Sequence, residues 1–165
     1  MVAADLPSAA VTARFARTLA GVLRAPMVIT LAGELGTGKT TVVRRVLRAL
    51  GVREAVASPS FTLAQSYHGR GGLTLHHLDL YRLAPGDDVA LFAWDDYLDG
   101  DALVFVEWPE AGESELPPAD VALRLYHVSR VARRAEVTAA PALERALLAG
   151  LGAAAVAARR AEGSS

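Results

Sequence analysis

Cysteine is absent from the 165-residue chain, which excludes a disulfide scaffold, a thiol nucleophile, a cysteine-ligated zinc site and an iron–sulfur cluster. Long apolar runs are absent too. The longest weakly apolar stretch without arginine, 146–158, is too short and too rich in alanine and glycine to span a bilayer. The segment 1–17 lacks the apolar run of a signal peptide. These absences predict a soluble cytoplasmic domain that has no membrane partner.

Charged residues make up only 21% of the chain and apolar residues 52%, a composition that excludes disorder. The length suits one domain with a core large enough to need no disulfide or structural metal. We therefore predict a single domain over 1–160 and a frayed C-terminal tail over 161–165.

An excess of basic charge is also absent, because the formal net charge is −1. The charges are, however, unevenly distributed. Segment 79–120 holds 12 acidic residues and one basic residue, Arg82, whereas the remainder carries a net charge of +10. Two interpretations stay open for the acidic segment, a solvated loop region or a docking surface for a basic partner.

Lysine occurs once, as Lys39, beside 16 arginines. A guanidinium is planar and wide, whereas an ammonium is compact. The single lysine therefore marks a position that requires a compact cation.

Apolar spacing predicts the elements. Helical spacing predicts helices over 11–23, capped by Ser8, and over 42–50, with an Ala-rich helix opened by Pro141 and a short acidic helix within 87–98. Alternating or continuous apolar runs predict strands over 27–32, 61–67, 73–78, 103–106, 121–125 and 131–137. The mixture predicts one α/β domain with a mixed parallel and antiparallel sheet flanked by helices.

The segment 33–40 matches the phosphate-loop pattern G-x-x-x-x-G-K-[ST], between a predicted buried strand and a predicted helix. Its glycines let successive N–H groups turn inward to cradle phosphate oxygens, beside the positive end of the helix. Lys39 is expected to face solvent in the absence of ligand and to reach the β- and γ-phosphates of a bound nucleotide, and the Thr40 hydroxyl is expected to ligate Mg²⁺. The candidate nucleotide-binding residues of the loop are Glu34, Leu35, Gly36, Thr37, Gly38, Lys39, Thr40 and Thr41.

Two carboxylates follow predicted strands and are candidates for catalysis. Glu107 ends the run 103–106 and suits the second metal ligand of a phosphate loop, whereas in isolation it would simply face solvent. Asp79 ends the run 73–78 and suits a group that orients water, or alternatively a cap for the following turn.

The remaining candidates are weaker. Trp108 suits either a nucleotide contact or the core, and Ser60 or Thr62 suits a sensor of the γ-phosphate. His76 and His77 alternate faces, so one at most points into a site, which argues against a histidine metal centre.

Four colinear motifs, at 33–41, 58–63, 77–83 and 106–110, resemble those of the TsaE (YjeE) ATPases, and the resemblance extends over about 8–120. Ser60 stands where that family usually has threonine, which keeps the hydroxyl.

The resemblance implies a small P-loop fold that binds ATP and Mg²⁺. It assigns phosphate and metal to Lys39 and Thr40, the Walker-B role at the metal to Glu107, and positioning of water to Asp79. It also implies that Thr62 and Trp108 lie near the nucleotide.

The resemblance further implies slow ATP hydrolysis by the chain alone and joint work with a TsaB–TsaD heterodimer in threonylcarbamoyladenosine modification of tRNA. The tRNA would be the substrate of the complex, and the sequence leaves open whether it contacts this chain. Two alternative functions are a P-loop small-molecule kinase and a nucleotide-dependent binding switch that does not hydrolyse ATP. The kinase would need an arginine-rich lid, yet Arg82 is the only basic residue of segment 79–120.

Overall fold

One mixed sheet organises the fold in the computed structural model, which describes residues 1–59, 62–83, 94–98, 100–112, 116–152 and the backbone of 155–157. The strands are β1 (Val2–Leu6), β2 (Met27–Ala32), β3 (Ala64–His68), β4 (Thr74–Asp79), β5 (Ala102–Glu107), β6 (Val121–His127), β7 (Arg133–Ala139) and β8 (Ala155–Ala157). The helices are α1 (Ala9–Val22), α2 (Lys39–Ala49), α3 (Asp95–Leu98) and α4 (Pro141–Leu151).

The strand order is β3-β4-β5-β2-β6-β7-β1-β8. The four strands β4, β5, β2 and β6 run parallel to one another, whereas β3, β7, β1 and β8 each pair antiparallel with their neighbours. The parallel strands therefore bring their carboxyl ends to one edge of the sheet, where binding sites of open α/β sheets lie. The predicted mixed sheet is confirmed.

The central strand β5 is buried along its whole length, as a continuous apolar run predicts for a strand covered on both faces. Leu103 and Phe105 belong to the main core, whereas Val104 and Val106 belong to a second cluster on the opposite face with Trp94. The side chains thus alternate between two apolar layers.

Helices α1 and α2 pack against each other, and their apolar residues enter the main core. Helix α1 begins where the sequence predicts, because the Ser8 hydroxyl accepts a hydrogen bond from the Val11 N–H at 3.3 Å. Pro141 opens α4 as predicted.

The structure differs from the sequence prediction in three elements. Strands β1 and β8 were not predicted, and Val131, predicted to lie in a strand, is exposed in the turn between β6 and β7. Of the predicted helix 87–98, only the single turn α3 lies within the described residues, and the predicted tail 161–165 lies outside them. None of the helices that the model describes has the length and apolar character to cross a membrane.

Candidate functional site

The predicted phosphate loop connects β2 to α2 at the carboxyl edge of the sheet. Gly33 has φ +136° and lies so close to β6 that a Cβ there would be 2.3 Å from the Leu125 carbonyl oxygen. Gly38 precedes α2 in the left-handed region, with φ +98°. A residue with a side chain would be strained at both positions, so the two glycines fix the path of the loop.

Lys39 is buried, with 4% of its surface exposed, although the sequence led us to expect a solvent-facing side chain in the absence of ligand. Its ammonium donates hydrogen bonds to the carbonyl oxygens of Gly33 at 2.6 Å and Glu34 at 3.0 Å. The expectation was wrong because the loop curls around its own lysine and supplies acceptors to it. The ammonium is therefore held in place before any phosphate arrives.

Trp108 covers the ammonium of Lys39. The Lys39 Nζ lies 3.6 Å from the centroid of the indole ring, a cation–π contact. The Tyr81 ring packs on the same tryptophan, at 4.8 Å between centroids. Trp108 has φ +59°, which is unusual for a bulky residue and costs on the order of 1–3 kcal/mol. One strained backbone position therefore lies at the site.

Burial lowers the pKa of Lys39 below its ordinary value, because the ammonium loses water. The carboxylates of Glu107, Glu110 and Asp79 raise the same pKa, in that order of size, and only partly offset the burial. The site therefore holds a cation that is short of solvation and surrounded by negative charge.

Glu107 ends β5 and accepts two hydrogen bonds while 2% exposed. The Thr40 hydroxyl donates to Oε2 at 2.8 Å, and His77 Nε2 lies 2.8 Å from Oε1. Thr40 comes from α2 and His77 from β4, so three elements converge on one carboxylate. The two residues predicted to share a metal are therefore in direct contact.

The His77 ring is completely buried, and its Nδ1 has no hydrogen-bond partner among the described residues. A buried N–H without an acceptor costs more than a buried acceptor without a donor. We therefore assign the proton to Nε2, from which it is donated to Glu107. His77 thus fixes the orientation of the carboxylate, while His76 lies on the other face beside Ser66, as the alternation predicts.

Asp79 lies directly opposite Glu107 in the parallel pairing of β4 with β5. It is 4% exposed and accepts hydrogen bonds from the Ser58 hydroxyl at 2.9 Å and from the Tyr81 N–H at 3.2 Å. The bond from Tyr81 is the turn cap considered above. The same carboxylate also lines the cavity described next.

These groups surround a cavity of about 310 Å³. Its lining consists of Leu35, Gly36, Gly38, Lys39, Thr40, Thr41, Ser58, Asp79, Tyr81, Glu107 and Trp108. The structure therefore brings most of the predicted site residues together at the carboxyl ends of β2, β4 and β5.

Three predicted residues lie outside this lining. Glu34 and Thr37 line a neighbouring cavity of about 570 Å³ beside the end of β6, and the buried Thr37 hydroxyl donates to the Glu34 carbonyl at 2.8 Å. Thr62 is exposed in the turn before β3, where its hydroxyl lies 3.5 Å from the Pro59 carbonyl. Ser60, the other predicted phosphate sensor, lies outside the described residues.

Sequence reasoning did not assign His77, Ser58 or Tyr81 to the site. A usable signal existed for His77, which shares the strand parity of Asp79 and therefore faces the same side. Tyr81 lies in the turn after β4, where that alternation no longer applies. Ser58 offered none, because its contact with Asp79 depends on how the segment before β3 folds back.

The oxygens of Thr40 and Glu107 are a donor set suited to Mg²⁺, which is bound through one or two protein ligands and keeps several waters. Within the described ranges, no cluster of three His, Cys, Asp or Glu side chains suits a metal, so a fully protein-ligated ion does not fit there. The residues thus fit Mg²⁺ that is shared with a phosphate.

Comparison with known proteins identifies a family whose model matches this chain. Residues 6–135 match the family model of TsaE, described as threonylcarbamoyl adenosine biosynthesis protein TsaE. This range includes every strand from β2 to β6 and the whole candidate site.

Individual relatives agree with that match. A tRNA threonylcarbamoyladenosine biosynthesis protein TsaE of Treponema pallidum is 39% identical over 72% of this chain and 86% of its own length. The TsaE protein of Haemophilus influenzae is 36% identical over 60% of this chain, and the match spans only 62% of that relative. The crystal structure of Bacillus subtilis YdiB superposes with a TM-score of 0.72 at 27% identity, over 92% of this chain and 95% of that one.

Proposed function

The chain belongs to the TsaE family, and from that premise we propose that it is a Mg²⁺-dependent ATP-binding protein and slow ATPase that supports threonylcarbamoyladenosine modification of tRNA. We propose further that it does so together with a TsaB–TsaD pair. The part in threonylcarbamoyladenosine biosynthesis is supported by the descriptions of the family model and of the matching relatives. The hydrolysis of ATP is the finer part of the proposal and depends on the site.

One observation carries the proposal of ATP hydrolysis: the Thr40 hydroxyl and the Glu107 carboxylate meet at 2.8 Å beneath the phosphate loop. A hydroxyl at the start of the helix after the loop, opposite a carboxylate from the adjacent strand, is the pair that holds Mg²⁺ in P-loop proteins. Asp79 lies opposite Glu107 in the pairing of β4 with β5 and lines the same cavity, so it is the second carboxylate that we assign to the attacking water.

Each residue of the site has its own role in the proposed hydrolysis of ATP. The backbone N–H groups of the loop cradle phosphate oxygens. The Lys39 ammonium releases the carbonyl oxygens of Gly33 and Glu34 and donates to phosphate oxygens instead. Thr40 and Glu107 hold the metal, which supplies neutralisation of the charge that develops on the phosphates. Asp79 accepts a hydrogen bond from the attacking water and orients it. Trp108 excludes solvent from the ammonium of Lys39.

We propose that exposed acidic residues of segment 79–120 dock on a basic surface of a partner protein. Asp95 and Asp96 of α3 and the nearby Asp101 are exposed, whereas Asp87 and Asp88 lie outside the described residues. Opposite charges accelerate encounter between proteins. We assign the exposed acidic residues Asp95, Asp96 and Asp101, and not the buried Asp79 and Glu107, to a docking surface for the TsaB–TsaD pair.

The proposal is tested by measuring ATP hydrolysis by the purified chain alone and with a TsaB–TsaD pair. We expect slow release of phosphate to water alone and faster turnover with the pair. Transfer of phosphate to a small acceptor would contradict the proposal in favour of a kinase. Binding of ATP with no multiple turnover under either condition would favour the switch.

The substitution Asp79→Asn is expected to lower kcat about 100-fold, which is the usual loss of rate when a base or water-orienting group is removed. The affinity for ATP should stay within about threefold, because the interaction is made mainly in the transition state. Asparagine can keep the contacts to Ser58 and Tyr81, so the turn should persist. Steady-state hydrolysis and equilibrium nucleotide binding measure the two effects. Equal losses in both would contradict the role in positioning water.

The substitution His77→Phe is expected to raise the Mg²⁺ concentration for half-maximal hydrolysis about 10- to 100-fold, as for other residues that orient a metal ligand. Glu107 would lose the donor that holds Oε1. His77→Gln should recover part of the loss, because an amide N–H can replace Nε2. The matched control is His76→Phe, which changes the neighbouring buried histidine on the opposite face. An unchanged Mg²⁺ requirement in His77→Phe would refute the role.

A further inference from the structure

Two adjoining grooves on the helical side of the molecule are lined by arginines. The first, of about 470 Å³, lies along α1 and α2. The second, of about 660 Å³, lies beyond the C-terminal end of α2. Arg48 lines both grooves, so they form one continuous surface, which we call the arginine stripe. Its members are Arg17, Arg44, Arg45, Arg48, Arg53 and Arg70.

The stripe has little compensating negative charge. Among the residues that the model covers, no carboxylate oxygen lies within 4.0 Å of any of its six guanidinium groups. Glu54 is the one acidic residue in the described lining of the two grooves. Clustered like charges repel one another, so arginines that served folding alone would be expected to have carboxylate partners.

Part of the stripe is anchored by the backbone instead. Arg44 Nε donates to the Val56 carbonyl at 2.8 Å, and Arg48 NH1 donates to the carbonyls of Val52 at 3.2 Å and Arg53 at 2.7 Å. Each guanidinium has five N–H groups, so donors remain for a ligand. The anchored side chains lie one helical turn apart and lose little entropy on binding.

The turn after β3 brings Arg70 to the same surface. The Arg70 N–H donates to the Leu50 carbonyl at 2.8 Å, at the end of α2. Gly51 permits this approach, because its φ is +100° and a Cβ there would lie 2.9 Å from the Arg70 nitrogen. The position of Arg70 relative to α2 is therefore set by backbone contacts.

From these observations we infer that the arginine stripe binds the phosphate backbone of RNA. Guanidinium groups match phosphate oxygens two at a time, and the apolar side chains in the described lining are only the small Ala13, Ala49 and Val52. A protein partner would call for an apolar and aromatic centre, whereas nucleic-acid interfaces are more polar and more positively charged. The choice of RNA also rests on the pathway of the family, which acts on tRNA.

The stripe is distinct from the candidate ATP site and touches it at one point. Thr41 lines both the cavity beside Lys39 and the first groove. Arg17, Arg45 and Arg70 do not line the ATP cavity and make no side-chain hydrogen bond with the described residues. They are therefore the residues to change without disturbing nucleotide binding.

The test compares binding of an unmodified tRNA transcript to the full-length wild type and to the triple variant Arg17→Gln, Arg45→Gln, Arg70→Gln. We expect the variant to lose at least about tenfold in affinity at low salt. Its plot of log affinity against log salt should be shallower by about three, one for each phosphate contact. The matched control is Arg130→Gln, Arg134→Gln, Arg145→Gln, which removes equal charge elsewhere and should leave affinity within about twofold of wild type.

Three outcomes would overturn the inference: no binding of the transcript by the wild type at low salt, equal losses in both triple variants, or a selective loss for poly-glutamate but not for RNA. A selective loss of poly-glutamate binding would indicate that the stripe binds an acidic protein. ATP binding, measured on the same samples, should be equal in all three proteins. Because it is read separately, a failure of the ATPase proposal would be distinguished from a failure of this one.

Discussion

The substitution Lys39→Ala is expected to lower ATP hydrolysis by a factor of about 100 to 1,000, the usual effect of removing one preorganised donor at a developing negative charge. ATP binding should weaken as well, because the ammonium contacts phosphate before and during the reaction. Alanine also leaves the Gly33 and Glu34 carbonyls without their donor and empties the space beneath Trp108. The loop itself is therefore perturbed.

The variant Lys39→Met separates the charge from the packing, since methionine fills the same space under the indole ring without an ammonium. We expect it to fold with a thermal midpoint close to that of the wild type and to hydrolyse ATP as poorly as the alanine variant. Lys39→Arg should not restore activity, because a guanidinium is too wide for two carbonyls of one tight loop. Near-normal turnover in any of the three would contradict the assignment.

Lys39 is also expected to set an upper pH limit for the proposed binding of nucleotide. Burial lowers its pKa below 10.5, so the ammonium loses its proton at a lower pH than an exposed lysine. At a pH between the folded and the unfolded pKa values of Lys39, its ammonium keeps its proton in the unfolded chain and loses it in the folded one. The contribution of Lys39 to the free energy of unfolding therefore rises with pH in this range. Phosphate binding falls over the same range, because the positive charge is lost. Because Lys39 is the only lysine, NMR of lysine-labelled protein follows this titration as a single side-chain resonance. Bound Mg²⁺–ATP should shift the titration to higher pH.

The substitution Glu107→Gln is expected to lower ATP hydrolysis about 100-fold or more, because the proposed Mg²⁺ site loses the one charged ligand that we assign to it. The variant retains the volume of the side chain, and an amide oxygen can still accept the hydrogen bond from Thr40. Thr40→Val should raise the Mg²⁺ requirement without an equal loss at saturating Mg²⁺. Hydrolysis measured over a Mg²⁺ titration distinguishes the two.

The control for both metal-ligand variants is nucleotide affinity in EDTA. Without Mg²⁺, neither Thr40→Val nor Glu107→Gln should weaken ATP binding. Loss of affinity in EDTA would indicate that these residues shape the loop rather than hold the metal. Unchanged hydrolysis in Glu107→Gln would refute the metal site.

Much of the site could be predicted because its parts are local. The phosphate loop is one continuous segment, and the buried runs before Asp79 and Glu107 predict two strand ends. Parallel neighbours then bring those carboxylates to one edge. The sequence alone could not supply the contact of His77 with Glu107, since it requires that β4 and β5 be adjacent and in a particular register.

The burial of Lys39 was missed for a different reason. It depends on Trp108 adopting a positive φ that its residue type disfavours, and on Tyr81 packing against it. Strand β1 was missed because five residues, Val2–Leu6, carry a weak pattern whose partners lie far along the chain. In both cases tertiary contacts decide the local conformation.

The placement of β1 has a consequence for how the molecule assembles. Val2 pairs with Val137 on one side and Ala157 on the other, so β1 stays unpaired during synthesis until β7 and β8 have been made. The half of the sheet that carries the candidate site, β2 to β6, can form from shorter sequence separations while β1 is still unpaired. We expect such non-local closure to be slow compared with the shorter-range pairings. Until it is complete, β7 presents an open edge to other chains.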